Sequence, residues 1–145
     1  MRACLEYMGI TEVKTLDDAL DVVNAVDHPA GGILIDTFHH ERVGHDPEKI
    51  REIPEHWLSY AQLCDMPECG VVTDPDAYYV DAIDGRLAPG EGSLPVAAMV
   101  MALPADLPIS LEIRSLHYRE TYRDPLERAR AILAQTQAFF TQHGL

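Results

Sequence analysis

The feature that most constrains this chain is an alternation. Short apolar runs take turns with capped, helix-periodic segments, four times from one end to the other. The runs are ACLEYM (3–8), GILID (32–36), WLSYAQLC (57–64) and PISLEIR (108–114). The segments that follow them are TLDDALDVVNAV (15–26), DPEKIREI (46–53), SLPVAAMVMAL (93–103) and DPLERARAILAQTQAFFTQHG (124–144). Strands that alternate with helices imply an α/β fold with a parallel sheet. The helix signals are specific. Thr15 and Asp18 form a capping box ahead of an apolar stripe of Leu16, Ala19, Leu20, Val23 and Val26. Asp46 and Pro47 open the second segment and Pro54 stops it. Ser93 reads as the cap of the third. Asp124, Pro125 and Glu127 open the last helix, and Gly144 closes it. From Asp65 to Gly92 no such period is found, and the stretch reads as one long irregular connection.

Charge and length narrow the function classes. The chain has 145 residues, a net charge of -13 and a pI near 4.7. That acidity argues against nucleic acid and against an anionic membrane surface, because both are bound through clustered Lys and Arg. No apolar run approaches the ~20 residues of a membrane-spanning helix. The start, MRACLEYMGITEVK, shows no secretory signal pattern. Cys4, Cys64 and Cys69 lack metal-ligand spacing and read as free thiols, which points to the cytoplasm.

The strand ends carry the chemistry. Side chains alternate across a strand. In PISLEIR, Ile109, Leu111 and Ile113 share one face and Glu112 lies on the other. Glu6 opposes Leu5 and Tyr7 in the first run. Asp36 ends the second run on the face of Leu34, and Gln62 opposes Ala61 and Leu63. Each strand thus offers one oxygen-bearing side chain near its C-terminal end: Glu6, Asp36, Gln62 and Glu112. Parallel strands bring these ends to one rim, where ligand sites of α/β sheets and barrels lie. Three carboxylates and an amide form a hard, oxygen-only donor set, suited to one Mn²⁺ or Mg²⁺ ion. Burying three unpaired carboxylates together is costly without such a charge.

The stretches CLEYM, ILIDTFHHERVGHDP, YAQLCDMP, GRLAPGEG and SLEIRS resemble the xylose isomerase-like TIM barrel family of sugar phosphate isomerases and epimerases. The resemblance covers the chain from Ala3 to about Phe140 and corresponds to the C-terminal half of the barrel. It implies that Glu6, Asp36, Gln62 and Glu112 bind one divalent metal. The third ligand is most often His in that family. Gln at this place is similar to a branch of 3-dehydroshikimate dehydratases. The Asp-x-x-His pattern at Asp36 and His39 implies that His39 contacts substrate oxygens or moves a proton. Arg86, ahead of Pro-Gly-x-Gly, is implied as a substrate contact, and Glu6 and Glu112 as acid and base. The implied substrate is a sugar or another small polyhydroxy-carbonyl compound. Proton abstraction beside its carbonyl leads to isomerisation or epimerisation, or to dehydration if a β-hydroxyl leaves.

A (β/α)₈ barrel takes ~250 residues, so four βα units over residues 1–145 are expected to form half of one. Open parallel edges are association hazards. The half is therefore expected to pair with a second copy or with a separate N-terminal half-barrel chain. A non-catalytic fragment is the third reading after isomerase and dehydratase. A zinc endonuclease of the same superfamily is disfavoured by the charge. Other residues take plainer expectations. His40, His45, His56 and His117 read as solvent or loop histidines, and Asp65 as a bond to backbone amides in its turn. Gly85, Gly90 and Gly92 are not a phosphate loop, because no Lys follows them.

Overall fold

The computed structural model describes residues 1–145. Four strands, β1 (Ala3–Leu5), β2 (Gly31–Asp36), β3 (Leu58–Leu63) and β4 (Ile109–Leu111), form one parallel sheet in the order β1-β2-β3-β4. Sequential order with helical crossovers is the arrangement the alternation implies. The helices are α1 (Leu16–Val26), α2 (Thr37–Arg42), α3 (Pro75–Asp84), α4 (Val96–Ala102), α5 (Leu116–Thr121) and α6 (Pro125–His143).

Helix α1 starts at its predicted box: Thr15 accepts from the Asp18 amide, and the Asp18 side chain accepts from the Thr15 amide. Helix α6 starts on Asp124 and ends at Gly144, whose φ of 68° is the left-handed value that favours glycine. Leu16, Ala19 and Val23 of α1 pack with Ile33 and Ile35 of β2, Ala61 of β3, and Ile50, Trp57 and Met99. Full burial of each Ile side chain is worth about 1.5–3 kcal/mol. This core occupies the helix-covered face of the sheet. The opposite face carries Leu34, Asp36 and Gln62.

Several elements differ from expectation. Segment 46–53 forms a 3₁₀ helix, Pro47–Glu52, capped by Asp46; between two prolines there is too little chain for further α turns. Trp57 ends a 3₁₀ turn, Glu55–Trp57, and is not in the strand. Helix α4 begins at Val96 behind Pro95, while the Ser93 hydroxyl donates to the Pro67 carbonyl and caps nothing. The stretch 65–92 is not one irregular connection, because it contains α3. Helices α2 and α5 were also unforeseen; each is only 6 residues long, too short for a periodic stripe.

Candidate functional site

Asp36 is where strand, helix and charge meet. It ends β2 and is the N-cap of α2. Its Oδ1 accepts from the amides of Phe38 (2.8 Å) and His39 (3.2 Å). Its Oδ2 accepts from the Arg86 guanidinium at 2.7 Å, and both side chains are buried. Three of the roughly four lone-pair directions of this carboxylate are thus filled. A charge at the end of an apolar strand is tolerated because a cap and a counter-charge meet it there. Burial opposes the positive charge of Arg86, but Asp36, Cys64 and Glu112 outweigh it and raise its pKa.

Arg86 is held in place by a loop that a second acid ties down. The Asp65 carboxylate is buried and accepts four amide hydrogen bonds. Oδ1 takes Met66 (2.8 Å) and Leu94 (2.9 Å), and Oδ2 takes Gly90 and Gly92 (both 3.0 Å). Asp65 and Leu87 also exchange backbone hydrogen bonds, each of 2.8 Å. At Gly92 a Cβ would lie 2.1 Å from the Met66 carbonyl oxygen and 2.5 Å from Asp65 Oδ1. Gly92 therefore serves this close approach, while Gly90 takes a φ of 88°, the left-handed value that favours glycine. The turn role expected of Asp65 holds and extends to the loop 25 and more residues away.

Around Arg86 stand the other rim residues. Its Nη2 lies 4.0 Å from Glu112 Oε1 and 3.5 Å from His39 Nε2. His39 Nε2 lies 3.7 Å from Glu6 Oε1. Glu6, Asp36 and His39 offer ligand atoms within 4.8 Å of one another, a grouping able to hold a metal ion. Gln62 pairs in register with Asp36, and its Oε1 is buried and accepts no hydrogen bond. An orphaned buried acceptor costs about 1–3 kcal/mol, so it marks a place built for something else. The structure thus brings Glu6, Asp36, His39, Arg86 and Glu112 together, with Gln62 beside Asp36 in the sheet. Burial, then the charges of Asp36 and Glu112, push the Glu6 carboxyl up to about 7. Three carboxylates face one guanidinium, an excess of negative charge that a divalent cation suits. The donor set, the orphaned amide oxygen and the raised Glu6 all fit such an ion.

Two tyrosines that the sequence reading passed over orient the histidines of α2. His40 is fully buried rather than solvent-facing. Its Nε2 lies 3.0 Å from the Asp46 carbonyl and its Nδ1 lies 2.6 Å from the Tyr7 hydroxyl. A carbonyl only accepts, so Nε2 carries the proton and Tyr7 donates to Nδ1. Burial holds the His40 pKa down at about 4. His39 Nδ1 lies 2.6 Å from the Tyr78 hydroxyl, with the two rings stacked at 5.7 Å. Burial brings His39 to about 4 as well, with Arg86 lowering it further and Asp36 opposing. Tyr78 sits on α3. A signal for α3 was present, since Asp74-Pro75 repeats the Asp-Pro start of two other helical segments and Gly85 follows the last turn.

A parallel sheet with acidic and amide side chains gathered at its C-terminal rim defines a class, the α/β barrel-type proteins with a rim site. Within it, the chain belongs to the xylose isomerase-like TIM barrel family, which matches residues 1–138. It is 31% identical over 105 residues to a 3-dehydroshikimate dehydratase of Pseudomonas putida, covering 70% of this chain and 16% of that protein. It is 24% identical over 139 residues to an inosose isomerase of Bacillus subtilis, covering 90% of this chain and 46% of that one. In fold it matches the IOLI protein, solved with a bound zinc atom, at a TM-score of 0.75 and 18% identity over 99% of this chain and 49% of that one. The chain spans about half the length, or less, of the relatives it matches. No helix is long and apolar enough to cross a membrane, and all three cysteines are free thiols.

Proposed function

We propose that this chain carries the metal-binding rim of an isomerase or epimerase acting on a sugar or related polyhydroxy-carbonyl compound in the cytoplasm. The observation that carries the reading is the convergence of Glu6, Asp36 and Glu112 on one rim beside the unpartnered Oε1 of Gln62. These four residues would hold one divalent cation, Mn²⁺ or Mg²⁺, which when bound supplies positive charge that draws electrons from the substrate carbonyl. Glu6 takes a proton from the carbon beside the carbonyl. Glu112, 4.0 Å from Arg86 Nη2, is the second acid and base. His39 and Arg86 hold substrate oxygens. Return of the proton to a neighbouring atom completes isomerisation.

A second reading is dehydration, in which a β-hydroxyl leaves after the same proton abstraction. It is favoured by the 31% identity to a 3-dehydroshikimate dehydratase and by Gln62 in the third ligand position. The sheet ends at β1 and β4, each flanked by an apolar groove, with Val22 and Val26 beside one and Leu107 and Ile109 beside the other. Both edges are proposed to be covered by further strands of the barrel, from a second copy or from another half-barrel chain.

Calorimetric titration of the purified chain with Mn²⁺ and Mg²⁺ tests the site. One ion per chain is expected, lost in Glu112→Ala and weakened about tenfold or more in Gln62→Leu. Unchanged binding in both variants would move the site elsewhere. Native mass spectrometry of the same sample reads the copy number. Assays of dehydroshikimate loss against ketose or inosose isomerisation separate the two chemistries. No turnover of any of them, with metal bound, would remove both as activities of this chain by itself.

A further inference from the structure

We infer that Tyr78 fixes the proton of His39 on Nε2, so that the ring faces the rim as a hydrogen-bond donor and neither ligates a metal nor acts as the base. Tyr78 is fully buried, and its hydroxyl has two partners: the Gly9 amide at 3.1 Å and His39 Nδ1 at 2.6 Å. The Gly9 amide can only donate, so it occupies the hydroxyl oxygen. The hydroxyl hydrogen then has one acceptor within reach, His39 Nδ1. A proton on Nδ1 would leave the Tyr78 hydrogen buried without a partner, which buried donors avoid. Nδ1 is therefore bare and Nε2 carries the hydrogen.

That hydrogen lies on the side of Glu6 Oε1, 3.7 Å from Nε2; Arg86 Nη2, itself a donor, competes for this nitrogen only from 3.5 Å, at the limit of hydrogen bonding, against the 2.6 Å of the Tyr78 contact. The consequence divides two ligand sets that geometry by itself leaves open. Glu6, Asp36 and His39 are close enough to hold an ion together, but a protonated nitrogen has no lone pair to give. The ion falls instead to the four oxygen donors, and His39 is left to hold a substrate oxygen. Tyr78 is a positioning residue: it acts through His39, and through Gly9 it also fastens the loop after β1 to the same ring. The inference rests on the proposed function only for what His39 donates to.

Long-range ¹H–¹⁵N spectra of the chain labelled in its histidines read the tautomer without any turnover. At neutral pH the expected pattern for His39 is a pyridine-type Nδ1 and a pyrrole-type Nε2, unchanged when Mg²⁺ is added. His40, fixed by Tyr7 and the Asp46 carbonyl, gives the same pattern and serves as an internal standard. In Tyr78→Phe the His39 signals should shift towards an average of the two tautomers while those of His40 stay, which also reports that the fold is intact. Tyr7→Phe should move neither pattern, because the Asp46 carbonyl still holds the His40 proton on Nε2. A pyrrole-type Nδ1 on His39 in the unmodified chain, loss of its Nε2 proton on adding Mg²⁺, or an unmoved pattern in a folded Tyr78→Phe chain would each overturn the inference. Failure to bind Mg²⁺ would count against the proposed function and leave the metal-free tautomer result standing.

Discussion

His39 and His40 are consecutive residues on one short helix, both almost wholly buried, and each has a tyrosine hydroxyl 2.6 Å from its Nδ1. Burial holds both near a pKa of 4. What separates them is the other nitrogen. That of His40 ends on a backbone carbonyl, so every polar atom of the ring is used internally. That of His39 points at Glu6 and Arg86 at distances too long for a good hydrogen bond. The same side chain, in the same surroundings and with the same kind of partner, is a structural strut in one case and a reserved donor in the other. An unfilled hydrogen-bond position, more than residue type or burial, is what distinguishes the candidate site member of the pair.

The largest effect should come from the cation that stands beside His39 and has no counterpart at His40. Arg86→Leu leaves the buried Asp36 carboxylate unpaired, at a cost of about 3–5 kcal/mol. Chemical denaturation of the metal-free chain should show that loss, and Mg²⁺ should restore part of it by supplying another counter-charge. A variant as stable as the parent would mean that the ion pair carries no weight. Next, His40→Ala should destabilise the chain by about 2–4 kcal/mol, since it opens a cavity and orphans the Tyr7 hydroxyl. His39→Ala should cost roughly half as much and spare metal binding while removing turnover. Equal stability losses, or loss of the metal in His39→Ala, would erase the distinction between the two rings.

The smallest effect is in the pH dependence, and its sign follows from the pKa shifts. A histidine lowered from 6.5 to about 4 withholds a proton that the unfolded chain binds, so its stability contribution is lost as pH falls through that window. Glu6, raised from 4.5 to about 7, works the other way: its contribution is full below 4.5 and lost as pH rises towards 7. Two histidines oppose one glutamate, so thermal stability should climb between pH 4.5 and 6.5. Glu6→Gln removes the opposing group and should steepen that climb; a flatter profile would contradict the raised Glu6 pKa.

Much of this was legible in the residues, and what was not has physical reasons. The strands and the long helices announce themselves through alternation and caps, because local geometry writes both into the sequence. The rim acids could be placed together because strand direction sets the rim; alternation fixes the faces of Asp36 and Gln62, whereas β1 and β4 end one residue short of Glu6 and Glu112, earlier than the runs 3–8 and 108–114 imply. Helices α2 and α5 escape because two turns leave no period to find, and α3 because it buries only Tyr78 and so carries no apolar stripe. Tyr7, Tyr78 and the reach of Asp65 could not be read at all. A tyrosine 39 residues from its histidine, or a carboxylate tied to amides up to 29 residues away, is a contact of the folded chain, with no trace in local pattern.

The Asp65 clamp has a practical side for anyone who would re-engineer the rim. A carboxylate that gathers four amides from two chain segments behaves as a socket, and Gly92 is the part of the plug that admits no bulk. Arg86 hangs from that plug. Transplanting the arginine loop onto another barrel therefore means carrying Asp65, Gly90, Gly92 and Leu94 as one module. Loop libraries that vary position 92 would discard the guanidinium along with the shape.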